Sequence, residues 1–195
     1  MPTDSRETLR CDVAVIGAGT AGLAAERAAR ANGASTLLID PAYNGTTCAT
    51  VGCMPSKLLI AASHAAHAAR SAGTFGITVS VVGIDGRAVM QRVRDERDRF
   101  ARLTRESIAE IPDDIRLQGR AKFVSPHCLE LDDGRQIVSR SVVIATGSAP
   151  FIPHEFSGLG KRLLTNETIF ELEDLPERLA VVGSGPIGLE LAQAM

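Results

Sequence analysis

Two cysteines, Cys48 and Cys53, stand with four residues between them in a stretch rich in glycine and threonine. Thiols this close can bind a metal, form a structural disulfide or act as a redox pair. Zinc would need a second, matching pair of Cys or His ligands. The sequence offers none, and Cys11 and Cys128 stand alone, as small buried apolar residues often do. His64 and His67, three apart, also lack further ligands and read as helix-surface residues, so no metal site is expected. In a cytoplasmic chain a close cysteine pair is more often redox-active than structural. Cys53 lies near the start of a helix-forming run, where a thiolate is favoured. Spacing alone points to redox chemistry and leaves a structural role open.

The second chemical signal is Gly17-Ala-Gly-Thr-Ala-Gly22. The first glycine permits a tight turn. The second, Gly19, lets a pyrophosphate approach the backbone, and the third lets helix and strand pack closely. Free N–H groups and a partial positive charge at the helix start would face the phosphates. Asp40 lies eighteen residues past Gly22, where a carboxylate can accept from a ribose hydroxyl. Gly183, Gly185 and Gly188 repeat the spacing, so a second dinucleotide site is expected there.

These residues need elements to position them. Cys11–Gly17 reads as a buried parallel strand, residues 20–32 as a helix stopped by Gly33, and Ser35–Ile39 as a second strand. Together they make a βαβ unit with a right-handed crossover. A helix is expected beyond Pro55, and a long charged helix over 86–111 ended by Pro112. The charges from Arg92 to Arg105 alternate in sign and read as a solvated face. Short strands follow at 115–118, 121–124, 128–131 and 137–138, with Asp133-Gly134 as a hairpin turn, then a buried strand at 142–145 closed by Thr146-Gly147. Residues 151–178, with Pro153 and Pro176, show little periodicity and read as a linker. Leu179–Gly183 reads as a strand opening a second unit. The expected architecture is α/β: a Rossmann-like domain over 1–150 with a small antiparallel excursion, then the start of a second Rossmann-like domain at 179–195.

Composition narrows the function. The chain has 195 residues, 45% hydrophobic and 23% charged, an ordinary globular balance. A net charge of −2 with no basic block argues against nucleic acid as the principal partner. No apolar run approaches the roughly 18 residues a membrane span needs. The polar start, Met1 to Arg10, has no signal-peptide core, so a cytoplasmic location is expected.

Gly45-Thr-Thr-Cys-Ala-Thr-Val-Gly-Cys-Met-Pro-Ser-Lys57, placed after a dinucleotide fingerprint, resembles the active-site stretch of the flavin disulfide reductases. These are the class I pyridine nucleotide-disulfide oxidoreductases. Their usual stretch reads G-G-T-C-x-N-V-G-C-x-P-S-K, and this chain departs from it at Thr46 and Thr50. Pro55-Ser-Lys57 looks closer to the dihydrolipoamide dehydrogenase and mercuric reductase branches than to glutathione reductase. The resemblance covers nearly the whole chain.

The resemblance implies that the first fingerprint binds FAD and the second receives NAD(P)H. Asp40 would hold the adenosine ribose, Thr47 would lie close to FAD, and Ala121 would lend backbone contact to the adenine. Thr146 and Gly147 would pass near the cofactor. Cys48 and Cys53 would form the redox disulfide, with Cys48 attacking substrate and Cys53 as the thiolate against the flavin. Lys57 would lie beside the flavin, paired with Glu190 as a buried, partly desolvated ion pair. Ordinary helix-surface charges are the plain alternative for these two.

Electrons would pass between NAD(H), FAD, the disulfide and a dithiol or disulfide substrate, with a lipoyl domain as a possible partner and a homodimer as the working form. Family members are about twice this length. The rest of the NAD domain, the later return to the FAD domain and the interface domain with its His–Glu pair are not in the sequence. The expectation is therefore little or no lipoamide turnover by this polypeptide alone. Three readings stay open: a dihydrolipoamide dehydrogenase-like enzyme, a mercuric or glutathione reductase-like enzyme, and a catalytically silent FAD-binding module.

Overall fold

A computed structural model describes residues 7–195. They separate into two compact units: the described residues to Thr46 with Arg102–Ala149, and Thr47–Ala101 with Pro150–Met195.

All the strands among the described residues lie in the first unit: β1 (Thr8–Ile16), β2 (Thr36–Asp40), β3 (Arg116–Gln118), β4 (Ala121–Ser125), β5 (Cys128–Leu131) and β6 (Gln136–Ile144). They form one sheet in the order β3-β2-β1-β6-β5-β4. The ladders β3–β2, β2–β1 and β1–β6 are parallel. The ladders β6–β5 and β5–β4 are antiparallel. This is the expected parallel sheet with its antiparallel excursion. Strand β2 is buried along Thr36–Ile39, as a strand covered on both faces must be.

Helix α1 (Thr20–Ala31) joins β1 to β2, and Asn32 and Gly33 (φ +80°) end it. Its buried Glu26 accepts from Arg30 Nε (2.8 Å) and Thr36 Oγ1 (3.1 Å). The carboxylate thus has partners on both sides, as burial requires. One apolar cluster joins Cys11, Leu37, Leu117, Leu129, Leu131 and Ile137. Another gathers Val15, Ala18 and Leu38, with Leu23 and Tyr43 packed against them.

The second unit is helical: α2 (Thr47–Thr50), α3 (Cys53–Ser71), the first part of α4 (Gly86–Ala109), which crosses the unit boundary, and α5 (Pro186–Ala194). Its core packs Leu59 of α3, Met90 and Val93 of α4, Leu191 of α5, and Ile169 and Phe170. The last two come from the stretch read as a linker, which holds 3-10 turns at His154–Arg162 and Ile169–Glu171. A 3-10 turn repeats every three residues and is too short to show a periodic apolar face.

Two expectations need correction. The strands at 137–138 and 142–145 are one strand, β6, because the parallel ladder with β1 continues through Ser139. Residues 179–183 form no strand. A strand exists only through a ladder partner, and the second unit has no other strand among its described residues.

Candidate functional site

The glycine loop of the first unit is built by close approach. Gly17 has φ +103°, a conformation that favours glycine, and a Cβ there would lie 2.2 Å from the Ala145 carbonyl oxygen. A Cβ on Gly22 would lie 1.7 Å from the Gly17 carbonyl oxygen. Around Gly19 the space is open, with nothing within 4 Å of such a Cβ. Gly19 caps α1, no side chain bonds the free N–H groups, and the first turn holds no acid. Open space, unclaimed donors and the helix dipole together fit a pyrophosphate.

Asp40, at the end of β2, braces this loop. Its Oδ2 accepts from the Ala18 N–H (2.9 Å). Its Oδ1 accepts from the N–H groups of Ala42 (2.9 Å) and Tyr43 (2.8 Å). An ionised carboxylate has about four acceptor directions, so capacity remains for a ribose hydroxyl. The Gly119 N–H bonds the Asp40 carbonyl (3.2 Å), which brings the Gly119–Ala121 corner beside the strand end. Ala121 itself starts β4 opposite Leu131. Thr146 and Gly147 continue β6, whose Ala145 N–H bonds the Ile16 carbonyl (2.8 Å) ahead of the loop. The structure thus gathers Gly17, Gly19, Gly22, Asp40, Thr146 and Gly147 at the same ends of neighbouring parallel strands, where α/β sheets bind ligands.

The second glycine set repeats the geometry without its strand. Gly183 has φ +112°, Gly185 caps α5 in open space, and a Cβ on Gly188 would lie 2.9 Å from the Gly183 carbonyl oxygen. Again no side chain caps the helix, no acid sits in its first turn, and Pro186 fills its first position.

The thiols flank a break between α2, opened by Thr47, and α3, opened by Cys53. A Cβ at Gly52, within the break, would lie 2.9 Å from the Thr47 carbonyl oxygen, so a larger residue would force the two helices apart. Ser56 Oγ bonds the Cys53 carbonyl (3.1 Å), and the Asn166 amide donates to the Val51 carbonyl (3.3 Å). Sequence reasoning missed Asn166, which lies more than a hundred residues from the loop with no motif of its own.

Both cysteines are free thiols, Cys48 half-buried and Cys53 exposed. A hydrogen bond with Cys53, then burial, pushes the Cys48 thiol up from its ordinary value.

Lys57 and Glu190 form the expected ion pair between α3 and α5. Its expected burial is corrected: the side chains are 62% and 33% exposed. Lys57 is the fifth residue of α3 and Glu190 the fifth of α5, and the long lysine stem carries its charged head out into water. Lys57 follows Cys53 by four residues, which puts both on one face of α3. His64 and His67 lie exposed on the same helix, and His67 contacts Ser71 (3.4 Å). They line an open cleft of about 580 Å³ with Glu190. Among the described residues no group of three or more His, Cys, Asp and Glu could hold a metal ion. No helix among them is long and apolar enough to cross a membrane.

A mostly parallel sheet with a phosphate-ready glycine loop, in a chain with a close thiol pair, defines a nucleotide-binding redox protein. The family model described as pyridine nucleotide-disulphide oxidoreductase matches residues 11–195, and the chain belongs to that family. Members bind FAD, use NAD(P)H and are generally homodimeric disulfide reductases.

The chain is 37% identical over 191 residues to a mercuric reductase of Streptomyces lividans, covering 93% of this chain and 40% of that protein. It is 33% identical over 184 residues to dihydrolipoyl dehydrogenase 2, chloroplastic, of Arabidopsis thaliana, covering 93% of this chain and 32% of that one. The chain therefore spans well under half the length of these relatives. Its fold matches that of the HOCl-induced flavoprotein disulfide reductase RclA from Escherichia coli with TM-score 0.71 at 22% identity, over 94% of this chain and 39% of that one.

Proposed function

We propose that the chain carries the FAD-binding and thiol half of a flavin disulfide reductase. The observation that carries this reading is the open, donor-lined Gly17–Gly22 loop in a chain whose free Cys48 and Cys53 thiols flank the break between α2 and α3. Gly19 and the first turn of α1 bind the pyrophosphate, Asp40 the ribose, and the Gly119–Ala121 corner, Thr47, Thr146 and Gly147 the rest of the cofactor. Bound FAD supplies two-electron exchange with the thiol pair. Cys48 and Cys53 store those electrons: two thiols release two protons and two electrons as the S–S bond forms. With a disulfide substrate, Cys48 attacks one sulfur and expels the other as a thiolate, and Cys53, the inner thiolate, then displaces the first from the mixed disulfide; with a dithiol substrate the same exchange runs in reverse, the substrate thiolate attacking the Cys48–Cys53 disulfide at Cys48. Lys57 and Glu190 set the local charge, Lys57 one helical turn from Cys53. Gly183, Gly185 and Gly188 receive the phosphates of NAD(P)H.

For the substrate, a dithiol of the dihydrolipoamide kind fits Pro55-Ser-Lys57 and a vicinal thiol pair. Mercuric ion reduction is a second reading, favoured by the 37% identity to a mercuric reductase. Homodimerisation and a cytoplasmic location belong to this proposal.

The test is an anaerobic titration of the FAD-loaded chain with dihydrolipoamide. A long-wavelength thiolate–flavin band is expected, lost in Cys53→Ser and shifted in Lys57→Ala. A chain that stays colourless with FAD, or an FAD-loaded chain that shows no band, refutes the reading. A Lys57→Ala spectrum identical to the parent's removes Lys57 from the site.

A further inference from the structure

Tyr43 is the only non-glycine residue with positive φ among the described residues (φ +50°). Left-handed backbone at a bulky aromatic costs free energy and persists only where the surroundings impose it. Four contacts impose it here. The Tyr43 N–H donates to Asp40 Oδ1 (2.8 Å). Its hydroxyl lies 2.6 Å from the Leu38 carbonyl oxygen on β2 and 3.2 Å from the Leu117 carbonyl oxygen on β3. The Arg116 guanidinium lies 5.9 Å from the ring centroid. Burial, then the Asp40 carboxylate, push the phenol far above its ordinary value, so it stays a neutral donor. One side chain therefore ties the loop after Asp40 to two strands, while its own N–H occupies one oxygen of the carboxylate and leaves the other at Ala18.

We infer that Tyr43 is a positioning residue for the adenosine end of the cofactor. It fixes the loop that fixes the rotation of Asp40, and so the direction in which Asp40 Oδ2 presents its remaining acceptor capacity. The inference rests on the FAD reading above. It goes further by making recognition of the adenylate half depend on a residue outside the glycine fingerprint. In Tyr43→Phe the hydroxyl tie is lost and the left-handed backbone is no longer held. The loop relaxes, the Tyr43 N–H leaves Oδ1, and Asp40, held on that side by the Ala42 N–H alone, no longer presents Oδ2 in one fixed direction.

FAD and FMN separate this role from a general loss of structure, because FMN lacks the adenylate. Both are titrated into the ligand-free chain and into Tyr43→Phe by quenching of flavin fluorescence, with circular dichroism confirming the fold. The expected result is an FAD Kd raised about five-fold in the variant, the loss of one net hydrogen bond, with the FMN Kd within about two-fold of the parent's. An unchanged FAD-to-FMN affinity ratio overturns the inference, whether both affinities hold or both fall together. A parent chain that binds FAD no better than FMN overturns it too. A parent chain that binds neither instead overturns the FAD reading itself.

Discussion

Replacing Gly22 with alanine should damage the fold, while replacing Gly19 with alanine should damage only the site. A Cβ on Gly22 lies 1.7 Å from the Gly17 carbonyl oxygen, where real contacts stay above 3.0 Å. The start of α1 and the end of β1 must therefore part by more than an ångström, and the obstacle is backbone. Overpacking of this kind costs about 1–3 kcal/mol, and a backbone obstacle places Gly22→Ala near about 3 kcal/mol. Gly19 is different: its φ of −76° suits alanine and its Cβ would meet nothing within 4 Å. Its stability change stays within about 1 kcal/mol, the scale of a helix-cap substitution. The same methyl would stand in the space open to a pyrophosphate, so FAD affinity falls about ten-fold or more. Urea unfolding of the ligand-free variants and a flavin-fluorescence titration read the two effects separately. A Gly22→Ala chain as stable as the parent, or a Gly19→Ala chain with parental FAD affinity, would refute the close-approach reasoning.

Phe170 is 1% exposed beside Leu59, Met90 and Val93, so Phe170→Ala should cost about 3–5 kcal/mol in urea unfolding; a cost under about 1 kcal/mol would show that this stretch does not belong to the core. Burial pushes the Cys11 thiol up to about 11 from an ordinary 9.0. The folded chain then holds a proton that the unfolded chain releases, so stability is full below about pH 9 and falls by about 2–3 kcal/mol as pH rises to about 11. The difference between the pH–stability curves of Cys11→Val and the parent isolates this loss, and parallel curves would contradict it.

What the sequence revealed and what it hid divide along a physical line. The β1–glycine–α1–β2 run was legible because its signals are local: an apolar run, glycine spacing, strong helix formers and a stop at Gly33. The helix after the cysteine stretch, the long charged helix and the Asp133-Gly134 hairpin were legible for the same reason. Strand β6 was read as two pieces because Ser139-Arg140-Ser141 breaks its apolar pattern, yet its partner β1 carries the ladder through. The buried Ser139 hydroxyl, with no hydrogen-bond partner, is the residue of that continuation. Residues 179–183 erred in the other direction: an apolar run ahead of glycine suggests a strand, but only a partner makes one. Spacing located both glycine loops and the thiols, and the family resemblance pointed to the Lys57–Glu190 pair. The exposure of that pair, the Asn166 contact and the left-handed Tyr43 depend on tertiary geometry, which no local pattern encodes.

The two glycine loops carry a consequence for ligand sorting. Each has a first glycine at positive φ, a second as an open helix cap and a third against the carbonyl of the first. On the proposed reading a diphosphate would meet nearly the same backbone at either loop, so the glycines alone would not discriminate between two nucleotides that share it. Selectivity is a difference of affinities, and under that reading it would come from the groups around each loop: Asp40, Tyr43 and the Gly119–Ala121 corner at the first. Changing which nucleotide is admitted therefore means rebuilding the surroundings and leaving the glycines alone.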